Sequence, residues 1–264
     1  MIAAIRSTAA CFWAVMRTKI AEQMAYRSHF ILSVILLIAG DLIVPLITLL
    51  VYRSGATFAG WTLHEALLVQ AIFGLAKGIA FPLFFGMVNT TLGLVREGTF
   101  DLLLLKPRSV LWMTMLRGLD LDDFGRLLSG GVLFGYALSG IDAPSIAGWL
   151  QFAALFAASL AVLCTFALLL SGLLFQWVGS SRVFDIFDSV TSFGMYPGTI
   201  YSKAVQQLLT YVIPVGLIAN MPAVALLGRG GWETLGAAGA SVLFLALGLW
   251  FWHAMLGRYT SAGG

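Results

Sequence analysis

Between Trp149 and Val178 the chain carries no charged residue. A helix needs about 20 apolar residues, at about 1.5 Å each, to cross the roughly 30 Å hydrocarbon core of a bilayer. This run exceeds that length, and a compact water-soluble fold could not hide it together with the similar runs around it. Of 264 residues, 60% are hydrophobic and 10% charged, and the mean hydropathy is +0.94. Typical soluble domains are about 45–50% apolar and roughly 25% charged. A soluble enzyme and an intrinsically disordered chain are both excluded. The net charge of +3 is too small an excess to indicate nucleic acid, so its placement along the chain says more than its sum. The fold class that remains is an all-α polytopic membrane protein.

The same ruler gives six transmembrane helices. Phe30–Val51 is broken only by Asp41, and Leu63–Val88 is interrupted by Lys77. Phe124–Gly140 is short and glycine-rich, and Trp149–Val178 is the cleanest span. Val183–Tyr196 is apolar but carries Asp185 and Asp188, and Leu235–Leu256 is the last. Between the last two, Tyr196-Pro197-Gly198 breaks the chain, and Pro214 and Pro222 would each disrupt a continuous helix. Residues 197–228 are therefore read as two half-length helices that dip into the membrane from outside and return. The competing reading is one kinked span across 204–227.

Charge fixes orientation. Arg6, Arg17, Lys19, Arg27, Arg96, Lys106, Arg108, Arg117, Arg126, Arg182 and Arg258 fall on one side, against Arg53, Lys203 and Arg229 on the other. That bias places both termini in the cytoplasm. Residues 1–29 show no cleavable signal peptide. Ile5, Phe12, Trp13, Met16, Ile20 and Met24 recur there at helical spacing among basic residues. They suggest an amphipathic interfacial helix in contact with anionic membrane lipid. Cys11 and Cys164 fall at different depths and read as isolated thiols. No internal repeat or linker divides the chain, so 1–264 is a single domain.

The chain lacks a phosphate-cradling G-x-x-x-x-G-K-[ST] loop, a clustered set of metal ligands and a G-x-S-x-G nucleophile elbow. No catalytic residue and no metal site is expected. Two charges stand out instead. Asp41 and Lys77 lie near the middle of antiparallel spans, hence at similar depth, where each charge costs about 2.5–3.5 kcal/mol. Pairing them would offset part of that cost, either as a lock between spans one and two or as part of a substrate path. Gly74-x-x-x-Gly78 brackets Lys77 and would admit a close helix neighbour, within the chain or from another subunit. Asp185 and Asp188 are about one turn apart at the inner end of span five. They could attract a cationic substrate or sit at headgroup level near Arg182.

The most specific feature is Arg96-Glu97-Gly98-Thr99-Phe100-Asp101-Leu102-Leu103-Leu104-Leu105-Lys106-Pro107. It is a charged turn, a short apolar helix and a proline stop, suited to a rigid contact for a soluble partner. The string resembles the R-E-G-T-x-D-x-L-L-x-[KR]-P stretch of a branch of the ABC-2 type transporter permeases. Tyr196-Pro197, Pro214 and Asn220-Met221-Pro222-Ala223 are similar to that branch's second motif region.

The resemblance implies the transmembrane permease subunit of an ATP-binding-cassette exporter in the bacterial cytoplasmic (inner) membrane. It implies a cytoplasmic coupling region over 91–110 that docks on a separate ATPase subunit through Arg96, Glu97, Gly98, Thr99, Phe100 and Asp101. It implies an external gate at 197–228 involving Tyr196, Pro197, Pro214, Asn220 and Pro222. No cofactor belongs to this chain; ATP and Mg stay on the ATPase subunits. A second permease, identical or related, completes a dimer. The alternative is a stand-alone ion-gradient-driven transporter using Asp41 and Lys77.

Overall fold

The computed structural model describes residues 2–121, 123, 125–177 and 182–260, and every regular element among them is helical. Helix α1 (Ile2–Ala25) is followed, after a non-helical Tyr26, by α2 (Arg27–Arg53). Next comes α3 (Leu63–Ala80), opened by a capping box. The Thr62 hydroxyl accepts from the Glu65 N–H at 3.3 Å, and the Glu65 carboxylate accepts from the Thr62 N–H at 2.8 Å. A π-helical turn, Phe81–Phe85, joins α3 to α4 (Gly86–Arg96). Pro82 supplies no N–H at that turn, and its own carbonyl accepts from the Asp120 N–H at 3.3 Å.

The chain continues through α5 (Asp101–Leu104), α6 (Val110–Arg117), α7 (Gly125–Leu138), α8 (Ile146–Leu174) and α9 (Arg182–Ser192). The remaining helices are α10 (Lys203–Gln207), α11 (Asn220–Leu226) and α12 (Trp232–Leu256). Among the described residues four helices are long and apolar enough to cross a membrane: α2, the run Leu63–Arg96, α8 and the Gly236–Leu256 part of α12. A further pair, Lys203–Val212 and Val215–Leu226, is bent by 84° at Pro214.

Two of the six expected spans are shorter than a bilayer. Helix α7 has 14 residues and α9 has 11, about 21 and 17 Å against a core of roughly 30 Å. Residues Phe124 and Val178, at the edges of expected spans, lie outside the described residues. The reason for the short α7 is that α6 and α7 lie end to end against the α3–α4 run. A β-carbon at Gly86 would overlap the Gly118 carbonyl, and one at Gly78 would stand 2.8 Å from the Leu127 nitrogen. One at Gly74 would stand 3.5 Å from the Gly130 Cα. Residue numbers fall on one side as they rise on the other, so α6–α7 runs antiparallel to the full α3–α4 length. The Gly74-x-x-x-Gly78 face is therefore an intramolecular seam.

Helix α8 is the central post, touched by α3, α4, α11 and α12. Helix α12 lies parallel to it, with Gly248 at Thr165 and Gly172 at Phe251. Helix α2 is peripheral, with Ile35, Leu36, Ile43, Leu46, Ile47 and Leu50 exposed, the pattern of a lipid-facing helix. A buried hydrogen bond from the Gln70 amide to the Thr48 hydroxyl, 2.7 Å, ties it to α3.

Candidate functional site

The turn after α4 is built by Gly98. With φ +66° it ends the helix in the left-handed region. Its N–H bonds the Val95 carbonyl at 3.2 Å, and the Thr99 N–H bonds the Leu94 carbonyl at 2.9 Å. This is a Schellman termination, which satisfies the last carbonyls and reverses the chain. The reversal drops Phe100 and Leu103 into the core, each at 0% exposure. The Phe100 ring stands edge-on to Phe175 at 5.0 Å and Tyr259 at 5.1 Å, and Phe175 meets Trp252 at 5.7 Å. The segment from Gly98 to Leu105, expected as the coupling region, is thus pinned to the C-terminal ends of α8 and α12. Burial, and then the neighbouring Asp101 carboxylate, push the Tyr259 phenol above its usual range. On the other face Leu102, Leu104 and Leu105 are 60%, 44% and 81% exposed. Arg96 and Glu97 are also exposed, beside the turn.

A second constellation lies halfway along the bundle. Asp41 and Lys77 do not pair with each other, correcting the expectation from their depth. Asp41 accepts from Arg126 at 2.9 Å and from the Ser129 hydroxyl at 3.3 Å. Arg126 also reaches Asp123 at 3.2 Å. Lys77 bonds Asp188 of α9 at 3.1 Å. Lys77 and Arg126 both lie over the Phe81 ring, 5.0 and 5.1 Å from its centroid. The antiparallel α6–α7 brings Arg126 to Asp41 before Lys77 can reach it. Sequence reading counted Arg126 with the cytoplasmic-side charges although it falls inside the expected span Phe124–Gly140. The signal was present in Asp123-x-x-Arg126, an i,i+3 pair at the start of an apolar run. Asp188 joins the constellation, whereas the side chain of Asp185 lies outside the described residues.

The opposite end gathers the second motif region. The Asn220 carboxamide oxygen accepts from the Gly198 N–H at 3.0 Å, and Tyr196 stands edge-on to Phe58 at 6.3 Å. Tyr196 and Asn220 line one cavity of about 230 Å³ with Trp61, Phe193 and Tyr201. Pro197 precedes a short 3-10 turn, Pro214 marks the 84° bend, and Pro222 is buried in the first turn of α11. Arg229 donates to Glu65 at 2.5 Å and lies over Trp61, tying this region to the start of α3. That latch left no signal in the linear spacing, since its partners are 164 residues apart.

The turn at Gly98 and the bent pair therefore occupy opposite ends of the helical bundle, with the charge constellation between them. No curated protein and no solved structure matches the chain. The family model described as ABC-2 family transporter protein matches it over residues 35–263. With bilayer-length apolar helices and a family match over most of its length, the chain belongs to the ABC-2 family and is a transmembrane transport permease.

Proposed function

We propose that this chain is the permease subunit of an ATP-driven exporter, moved by a separate ATPase subunit that grips the turn around Gly98. The observation that carries this reading is the two-faced coupling segment. Phe100 and Leu103 are fully buried while Leu102, Leu104 and Leu105 project from the end of the bundle. Exposed leucines on a pinned turn serve as an apolar knob for a cleft on a soluble protein. ATP and Mg²⁺ stay on that protein, and its closure pushes on the exposed leucines and through them on the buried Phe100. The aromatic contacts of Phe100 pass the push to α8 and α12, whose rigid length carries it to the far end, where Pro214 and Asn220 would gate release.

This reading keeps six passes: α2, α3–α4, α6–α7, α8, the short α9 extended by the turn Phe193–Met195, and α12. Helix α1 lies at the cytoplasmic headgroup layer against membrane lipid, both termini are cytoplasmic in a bacterial inner membrane, and residues 197–228 face outside. A second permease, identical or related, completes the path. The gradient-driven alternative loses its footing because Asp41 and Lys77 are held in different ion pairs.

Co-purification of the chain with an ATPase subunit encoded beside it tests the proposal. Leu102→Glu with Leu105→Glu should abolish that association and leave the thermal unfolding of the isolated permease within a few degrees of wild type. Retained association, or transport by the chain alone, would overturn it.

A further inference from the structure

The cavity of about 230 Å³ beside the bent pair has aromatic walls, built by Trp61, Phe193, Tyr196 and Tyr201, with Leu209, Met221 and Val224 among the rest of its lining. Trp61 and Leu209 are buried on its inner side, whereas Phe193 and Thr199 are exposed at its mouth. No Asp, Glu, Lys or Arg lines it. Arg229 lies over Trp61 at 5.8 Å, but it is held by Glu65 and stays outside the lining.

Most polar groups of the lining are engaged within the fold. The hydroxyl of Thr199 donates to the Ala59 carbonyl at 3.1 Å, that of Tyr201 to Phe193 at 3.0 Å and that of Thr210 to Gln206 at 2.7 Å. The Gln206 amide nitrogen donates to the Tyr201 carbonyl at 2.8 Å, and the Asn220 amide oxygen accepts from the Gly198 N–H at 3.0 Å. Those two bonds fix which way each carboxamide is turned. Three groups are left without a partner among the described residues: the Asn220 NH₂, the Gln206 amide oxygen and the Tyr196 hydroxyl, whose ring meets only Phe58. They supply a donor, an acceptor and a group that can be either.

This inventory is selective. A charged ligand would lose its water and find no opposite charge in the lining. A sugar carries a hydroxyl on most of its ring carbons, each both donor and acceptor. Three unengaged groups would leave most of those hydroxyls buried and unpaired, which is costly. A purely apolar ring would strand the three groups themselves. The volume is below the about 300–1,000 Å³ of a drug-sized site, so the occupant has one or two rings. We infer that this cavity binds an uncharged hydroxylated aromatic, a phenol in class, with its ring against the aromatic walls. Its hydroxyl donates to the Gln206 oxygen and accepts from the Asn220 NH₂ or the Tyr196 hydroxyl. The inference names a ligand class for the release end of the proposed permease and rests on that reading for its place in transport, but the binding step needs no ATPase.

Tritiated 2-naphthol, uncharged at neutral pH, tests it. The full chain in lipid nanodiscs should bind it saturably above empty nanodiscs in equilibrium dialysis. Excess 2-naphthoate, 2-naphthyltrimethylammonium or methyl glucoside should not displace it. The isosteric 2-methylnaphthalene, which lacks the hydroxyl, should compete about tenfold more weakly. The Tyr196 hydroxyl supports nothing within the fold, so Tyr196→Phe should leave thermal unfolding unchanged. It should weaken 2-naphthol binding about three- to tenfold, the loss of one uncharged hydrogen bond, and leave competition by 2-methylnaphthalene as it was. Val224→Phe, which extends a wall into the cavity, should abolish binding; if that variant fails to fold, Tyr196→Phe decides alone. No saturable 2-naphthol binding, displacement by a charged analogue or by the glucoside, or wild-type affinity in Tyr196→Phe would overturn the inference. Association with an ATPase subunit is measured separately and is untouched by any of these results.

Discussion

Phe100→Ala removes the side chain that pins the coupling turn to the bundle. The wild-type ring is fully buried and contacts Phe175 and Tyr259 at centroid distances of 5.0 and 5.1 Å. Each aromatic contact contributes about 0.5–1.5 kcal/mol beyond the buried area. A buried phenylalanine truncated to alanine costs about 3–5 kcal/mol in all. Helix α5 has four residues, far too few to be stable alone, so this cost falls on the docking of the whole segment. At about 1.4 kcal/mol per factor of ten, undocking becomes roughly a hundred- to several-thousand-fold more frequent. Amide hydrogen exchange on the purified permease measures it directly. Protection at Leu103, Leu105 and Lys106, whose N–H groups bond within the turn, should fall by that factor. Amides in α8 should keep theirs, because in a bilayer their helix hydrogen bonds have no water to exchange with. Protection at Leu103 within threefold of wild type would refute the claim that the aromatic contacts hold the segment.

Other consequences follow from the same contacts. Arg126→Met removes the cation paired with Asp41, which should cost about 3 kcal/mol, the lower end for a broken buried pair because these side chains are partly exposed. Adding Asp41→Asn should recover part of that loss in thermal unfolding, and no recovery would show that Asp41 does not depend on Arg126. Gly118→Leu forces a side chain into the Gly86 backbone. It should lower the yield of monodisperse protein sharply, while Gly131→Leu, with open space around its β-carbon, should not. The Tyr259 phenol titrates above 10.0 in the fold. Its contribution to stability is therefore complete below that pH and lost as pH rises through the higher folded value. Wild type should lose stability above about pH 10 more steeply than Tyr259→Phe, and equal slopes would argue against that burial.

The amino-acid sequence by itself determined the membrane class, because no fold in water can hide runs such as Trp149–Val178. It also determined the turn at Gly98. Gly98 and the proline stop at Pro107 are local features that backbone geometry enforces within a few residues, whereas which of Leu102–Leu105 are buried was settled only by packing. The bend at Pro214 was legible for the same reason, since a missing N–H acts where it stands. The tertiary structure decided the partners. Asp41 and Lys77 share a depth, but depth is one coordinate. Which cation reaches Asp41 depends on the azimuth of α7, set by glycines at 74, 78 and 130 that let two helices approach closely. The same packing set a further helix, α6, end to end with the expected third span and aligned both with α3–α4. It also turned Arg126 from a charge counted toward orientation into the hub of a constellation halfway along the bundle. Hydropathy reports how far a residue prefers to lie from water; only packing determines what it meets there.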